Sequence, residues 1–281
     1  MYQSLRRLPA TLRRSYHDGA SIVQTHLEHN DQIAVITLNN PSKLNALTQA
    51  MGEVLKEKVK EIQMLDSVRA VILTGAGKAF SAGGDLDFLM DRHRDLPDNN
   101  TRIMQDFYKK FLILRRDLEV PVIGAINGAA IGAGLCIAVG GCDVRVASAK
   151  AKMGFTFVKL GLHPGMGATH FLPQLVGPQV AADLLMTGRL IDGNEAKSLG
   201  IVSQVGDNAM DLALPIAESI CQAAPVAVKT LVQTLRQNQN VGLHEAYVAE
   251  ASAQAICYPT QDLKEGVLSL QEKRTPVYTG K

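Results

Sequence analysis

No apolar run in this 281-residue sequence approaches the roughly 18 residues that a membrane-spanning helix needs, so a membrane is not expected as a partner. Charge of one sign is missing too. Four of the 29 basic residues, and one of the 27 acidic ones, stand in the first twenty positions, which leaves the rest of the chain close to neutral. A nucleic-acid partner would require a basic face and is not expected either. Cysteine is scarce, and none of the four (Cys136, Cys142, Cys221, Cys257) forms a C-x-x-C pair. Cys136 and Cys142 stand six positions apart, which is not metal-ligand spacing, so these read as buried free thiols of a reducing compartment, with no metal centre. The length holds one large domain, or one domain with a small appendage.

Familiar nucleotide and hydrolase motifs are absent on inspection. G-A-G-K-A-F at 75–80 would need glycine at 72 and Ser or Thr at 79 to be a phosphate loop; those positions are Ile72 and Ala79. Gly132-x-Gly134 lacks the third glycine of a dinucleotide fingerprint, since Ile137 stands there. Ser81 is no nucleophile elbow, because Ala79 breaks G-x-S-x-G.

The first twenty residues, M-Y-Q-S-L-R-R-L-P-A-T-L-R-R-S-Y-H and onward, are Arg-rich, hydroxyl-bearing and nearly acid-free. That composition predicts a mitochondrial transit peptide over 1–20 and a matrix location. Beyond it, Ile22 to Leu38 alternates apolar and polar residues as in a hairpin, and Leu44 to Leu65 carries helical periodicity. Strands are expected at 69–73, 120–126 and 143–147. Helices are expected over most of 86–116, at 133–141, 178–190 and 193–199, and throughout from about 208.

The rhythm of strand, glycine turn and helix predicts stacked ββα turns rather than an open doubly wound sheet. Glycine is densest between Asn127 and Thr169, where nine glycines destabilise ordinary helix and strand and imply close backbone approach. Two Gly loops lead from a strand into a helix: S-A-G-G-D-L at 81–86 and G-A-G-L-C at 132–136. Helix N-termini expose unpaired N–H groups and a partial positive charge, so two of them converging on one oxygen could polarise a carbonyl.

Four stretches, K-A-F-S-A-G-G-D-L, P-V-I-G-A-I-N-G-A-A-I-G-A-G-L, G-L-H-P-G-M-G-A-T-H-F-L-P-Q-L-V-G and L-L-M-T-G-R-L-I-D-G-N-E-A-K-S-L-G-I-V, occur in that order. Together they resemble the crotonase, or enoyl-CoA hydratase/isomerase, superfamily. The resemblance runs over roughly residues 25–280. It implies an α/β fold with a crotonase-like ββα spiral core (21–207) and a C-terminal helical trimerisation region (208–281), assembled as a homotrimer or homohexamer. It further implies an acyl-CoA thioester as substrate, no resident cofactor, and an oxyanion hole that stabilises the thioester enolate. Matching motifs place the two donor N–H groups at Gly84 and Gly134, put Gly84, Asp85, Leu86 and Asp87 along the thioester and pantetheine, and set Lys273 near the CoA adenine end, often that of a neighbouring subunit. An aromatic three residues before that lysine is Leu270 here.

The departures concern proton transfer. Hydratases of the superfamily carry one glutamate three residues after the oxyanion glycine and another twenty further on; the resemblance puts these at Ile137 and Phe157. The additional aspartate of dienoyl-CoA isomerases would fall at Gly165, and the His and Tyr of the methylmalonyl-CoA decarboxylase type would fall at Gly84 and Phe157. Positioned acid and base groups are each worth roughly 10²–10⁴-fold, so ordinary hydratase activity is expected to be poor without them. His163, in the loop with Pro164 and Gly165, is the substitute with a suitable pKa class, and Asp87 and His93 on the following helix are further candidates. Asp85 also reads as a helix cap. Two functions remain: an acyl-CoA-processing enzyme with an atypical proton-transfer group, or a non-catalytic acyl-CoA-binding or regulatory subunit.

Overall fold

Residues 21–281 are described by the computed structural model, so the leader expected over 1–20 lies outside the described residues. The alternating stretch closes as a hairpin: β1 (Val23–Glu28) pairs antiparallel with β2 (Ile33–Leu38). The turn sets His29, Asn30 and Asp31 at positive φ, which these three side chains tolerate better than most. α1 (Gln49–Gln63) follows, capped by Thr48, whose hydroxyl accepts the Met51 N–H at 3.1 Å.

Three stacked turns come next. The first holds β3 (Ala70–Gly75), β4 (Ala79–Ser81), α2 (Leu86–His93), α3 (Pro97–Phe111) and α4 (Ile113–Asp117). The second holds β5 (Val122–Ile126), β6 (Ala129–Ile131) and α5 (Ala133–Gly141). The third holds β7 (Val144–Ser148), β8 (Met153–Gly154), a 3₁₀ turn (Thr156–Leu160), α6 (Ala168–Val176), α7 (Pro178–Thr187) and α8 (Gly193–Ser198), before β9 (Gln204–Gly206). Each turn gives its long strand to one sheet, ordered β1-β2-β3-β5-β7-β9, and its short strand to a second, β4-β6-β8. Every pairing between two of these strands after the hairpin is parallel, while the isolated bridge of Met153 to Ile191 is antiparallel.

Strand periodicity decides which side each residue serves. Ala34, Ile36 and Leu38 face the main core with Leu73 and Ile126. Ile33 and Val35 face the other way with Ile72 and Ile123, against α9 (Ala209–Cys221). Ala209, Ala213 and Ala217 recur every four residues on that helix, and their small side chains let it lie close on the sheet. The first helix of the region beyond 208 thus belongs to the core.

The helix expected from Leu44 begins only at Gln49. Leu44 and Asn45 take positive φ, and Leu47 forms a parallel bridge to Gly84. Asn45 is buried and dictates this detour: its amide donates to the carbonyls of Ala76 (2.9 Å) and Ala79 (2.7 Å). Strands β4, β6 and β8 were not expected, since two or three residues show no period. Of the thiols, Cys136, Cys142 and Cys221 are buried as expected, while Cys257 is half-buried. Burial pushes the Cys142 thiol up to about 12 and Cys136 higher still.

α10 (Pro225–Gln237), α11 (Leu243–Cys257) and α12 (Gln261–Glu272) complete the chain. One side chain ties α10 to the spiral. The Arg236 guanidinium meets Asp143 at 2.6 Å and donates to the carbonyls of Arg115, Leu118 and Val120. Arg145, two residues beyond Asp143, takes no part in this pairing. Instead Arg145 donates to the carbonyls of Cys142 and Ile201, and Asp143 accepts the Val122 N–H. Removing Arg236 leaves Asp143 with only the Val122 N–H and Arg115 at 3.7 Å, and takes one donor group from three carbonyls together. Arg236→Ala is expected to cost about 3 kcal/mol in urea denaturation, and Arg236→Lys most of that, because an ammonium cannot span the fork.

Candidate active site

A cavity of about 450 Å³ lies beside the two glycine loops. α2 and α3 form one side, the junction of β6 with α5 forms another, and the 3₁₀ turn with the loop after it forms the third. Its wall is mainly apolar, with Leu86, Leu89, Met104, Phe107, Phe157 and Met166 among the lining residues. α2 presents only exposed and half-buried residues, whereas every residue of α5 is buried.

The first loop is fixed by the bridge to Leu47. The Leu47 N–H donates to the Gly83 carbonyl (2.7 Å), and the Asp85 N–H donates to the Leu47 carbonyl (3.0 Å). That parallel pattern turns the N–H of Gly84 to the opposite side, and this group has no partner among the described residues. Ser81 braces the loop from within: its buried hydroxyl donates to the Asn45 carbonyl (2.8 Å) and accepts the Gly83 N–H (3.2 Å). A Cβ on Gly84 would make only ordinary contacts with Leu89, so packing does not demand glycine there.

The second loop turns at Gly132, whose φ of 52° and ψ of −120° suit glycine alone. Gly132 donates its N–H to the Gly154 carbonyl (2.8 Å) and accepts the Cys136 N–H (3.1 Å), which starts α5. The N–H groups of Ala133 and Gly134, in the first turn of that helix, have no partner among the described residues, as helix geometry requires. Their wall positions differ. Gly132 and Ala133 line the cavity; Gly134 does not. A Cβ on Gly134 would stand 2.5 Å from the Ser81 carbonyl oxygen and 2.8 Å from its hydroxyl, so this residue is turned onto the preceding turn of the spiral. The expected donor pair of Gly84 and Gly134 is not brought together on this wall, which has Gly84 and Ala133 among its lining residues. Successive residues of a helix point about 100° apart, so a shift of one position changes the facing direction.

The remaining candidates separate clearly. Leu86, His93, Phe157 and His163 line the cavity. Asp85, Asp87, Ile137 and Lys273 do not. Asp85 caps α2 by accepting the Phe88 N–H at 3.2 Å; that bond, then Lys43 at 3.3 Å, holds its carboxyl below the usual range. Asp87 is exposed, with Lys43 at 3.7 Å. Ile137, expected in the pocket, is wholly buried in the core and is not among the residues that line this cavity. The residue three beyond Ala133 is Cys136, equally buried. Lys273 is exposed at the C-terminal end of α12, at positive φ. The Nδ1 of exposed His163 lies 2.8 Å from the Pro164 carbonyl, which can only accept, so Nδ1 is the donor of this contact and, in the neutral ring, Nε2 is the accepting nitrogen.

Sequence reasoning missed Arg92 and Tyr108, both in the wall. Arg92 lies over the Phe88 ring at 5.4 Å and pairs with Asp95 at 3.0 Å, while its Nε is buried without a partner among the described residues. Tyr108 shares a face of α3 with Met104 and Phe111, a helical spacing that reads as core. No carboxylate lines the cavity among the described residues, and none of their His, Cys, Asp and Glu groups is arranged to hold a metal.

The family model described as enoyl-CoA hydratase/isomerase matches residues 28–281. The chain is 37% identical over 251 residues to the short-chain-enoyl-CoA hydratase of Clostridium acetobutylicum, covering 88% of this chain and 94% of that protein. It is 33% identical over 266 residues to the mitochondrial methylglutaconyl-CoA hydratase of Homo sapiens, covering 91% and 76%. Among solved structures, the enoyl-CoA hydratase from Bacillus anthracis superimposes with a TM-score of 0.86 at 33% identity, covering 93% of this chain and all of that one. The α/β spiral is thus the crotonase fold.

The two loops respond differently to an added methyl group. Gly134→Ala is expected to destabilise the protein by about 2–3 kcal/mol, because backbone atoms stand in the way. Gly84→Ala should cost less than about 1 kcal/mol. Urea denaturation of the two variants beside the parent protein measures the difference.

Proposed function

The chain belongs to the enoyl-CoA hydratase/isomerase family, and from that premise we propose that it processes an acyl-CoA thioester in the cavity between α2, α3 and α5. The Gly84 and Ala133 N–H groups would act as the oxyanion hole. The observation that carries this reading is the pair of unpartnered N–H groups on one apolar wall, one from each glycine loop. The thioester oxygen gains charge as the enolate forms. Two fixed donors in a place of low dielectric stabilise that charge more than they stabilise the ground-state carbonyl, which lowers the barrier. The partial positive charge at the start of α5 adds to the effect. The coenzyme enters as part of the substrate, and the chemistry asks for no resident cofactor.

Ala133 offers a clean test. It is the first residue of α5, where proline is well tolerated because that N–H has no partner within the helix. Ala133→Pro should keep the fold and lower kcat by roughly 10²–10³, as loss of one oxyanion donor does. Steady-state assays across enoyl-, dienoyl-, malonyl- and hydroxyacyl-CoA thioesters identify the reaction. An unchanged kcat in the variant would remove Ala133 from the site.

Proton transfer needs a group other than a wall carboxylate. His163 is the candidate base, since the Nε2 of its neutral ring can accept a proton at the edge of the cavity. Phe157 in the wall favours a second reading, a subunit that binds acyl-CoA without turning it over. Calorimetric binding with no turnover on any of the four thioester classes would establish that reading instead.

We also propose a homotrimer or a dimer of trimers. Every residue of α11 is exposed or half-buried, including Leu243, Tyr247 and Ile256, which leaves an apolar helix for a sister copy to cover. Lys273 would then serve the CoA of a neighbouring copy. Light scattering should give three or six chains per particle.

A further inference from the structure

Tyr108 projects from α3 into the wall of the cavity, on the same helical face as Met104. Its ring is set edge-on to Phe107, with centroids 6.5 Å apart, and Phe107 is stacked on Phe88 at 4.9 Å. The hydroxyl rests against the main chain of Gly165. A Cβ built on that glycine would stand 2.3 Å from Oη and 2.8 Å from Cζ, so the absence of a side chain at 165 is what gives the phenol its place. Oη has no hydrogen-bond partner among the described residues. Burial, and then the neighbouring Cys136 thiol, push the phenol above its usual range, so near neutral pH it carries its proton and acts as a donor.

The other polar groups of the wall are less suited to giving up a proton within the cavity. His93 and His163 are exposed. Arg92 is engaged with Asp95, and the Asn100 amide donates to the Arg92 carbonyl. The Thr156 hydroxyl is too weak an acid. A half-buried phenol left unpartnered in an apolar wall is costly unless a ligand completes it.

We propose that Tyr108 is a catalytic residue of this site, with its Oη–H supplying the proton that the α-carbon of the acyl chain gains. The proposal rests on the reading of the cavity as an acyl-CoA site and adds its missing acid. In hydration of an enoyl thioester, the oxygen of a water molecule bonds to the β-carbon as the C=C π bond opens. The α-carbon takes the proton from Oη, and the phenolate oxygen takes a proton from the attacking water. One water is added, two σ bonds form, and the phenol is restored. A single oxygen therefore serves as acid and then base, so this step needs neither a carboxylate pair nor His163 as its base.

The test is Tyr108→Phe, which keeps the ring contacts with Phe107 and removes only the hydroxyl. Hydration of crotonyl-CoA is followed by loss of enoyl absorbance, exchange of the α-hydrogens of butyryl-CoA in D₂O by NMR, and butyryl-CoA binding by calorimetry. The expected result is a kcat about 10²–10⁴-fold lower, with exchange lost in parallel and binding within a few-fold of the parent. Gly165→Ala, which puts a methyl group where Oη stands, should lower kcat in the same direction with the tyrosine still present. A kcat within about threefold of the parent in Tyr108→Phe overturns the proposal and leaves the acyl-CoA reading intact. A loss confined to binding makes Tyr108 a binding group and overturns it equally. A parent protein that neither hydrates nor exchanges overturns the enzymatic reading and this proposal with it.

Discussion

The structure depends on bringing the backbones of successive spiral turns into direct contact. At the site this happens where α5 begins: the carbonyl of Ser81, at the end of β4, stands where any side chain on Gly134 would have to go. The same serine holds Gly83 and Asn45 through its hydroxyl, so one buried residue sets the height of both loops at once. Close packing of this kind transmits small errors, since a displaced carbonyl cannot be absorbed by a change of rotamer. It is also what lets two main-chain donors, far apart in sequence, share one wall.

Main-chain donors have an advantage that side chains lack. The N–H of Gly84 is aimed by a parallel bridge and that of Ala133 by the first turn of a buried helix, so neither needs to be ordered when substrate arrives. The proton-transfer side of the cavity is built differently. Its candidate groups, His163 and Tyr108, sit on a loop and on an outer helix, and their identity departs from the carboxylates that the superfamily resemblance implies. In the proposed reading, polarisation and proton transfer come from separate parts of the fold, which would allow one to be retained while the other is replaced.

Much of this was legible beforehand. Alternation revealed the opening hairpin, and the run of glycines marked the two strand–helix junctions with α5 at its observed bounds. The segment at 44–48 was misread as helix because its apolar spacing is helical, while the feature that governs it, buried Asn45 serving two distant carbonyls, is a tertiary one. The choice between Ala133 and Gly134 turns on a rotation of about 100°, finer than spacing can resolve where the motif alternates glycine and alanine. Ile137 was placed in the pocket by the same offset. Tyr108 was hidden for the opposite reason: on an amphipathic helix beside Phe107 and Phe111, an aromatic residue looks like packing, and only the cavity and the bare backbone of Gly165 set it apart.

The contrast between α5 and α2 bears on how such a protein can change. α5 is walled in on every side, so the donors it carries are tied to the stability of the whole core. α2 shows solvent or half-buried surface at each of its positions and is held by a few contacts, the Asp85 cap and the bridge just before it, Phe88 on Phe107, and the Asn100 amide on the Arg92 carbonyl. Segments held this lightly open and shift at far lower free energy than the core does. If the cavity holds an acyl chain as proposed, the length and bulk admitted would be set by the most easily moved wall, and a lineage could retune its substrate through α2 while the two glycine loops stayed untouched.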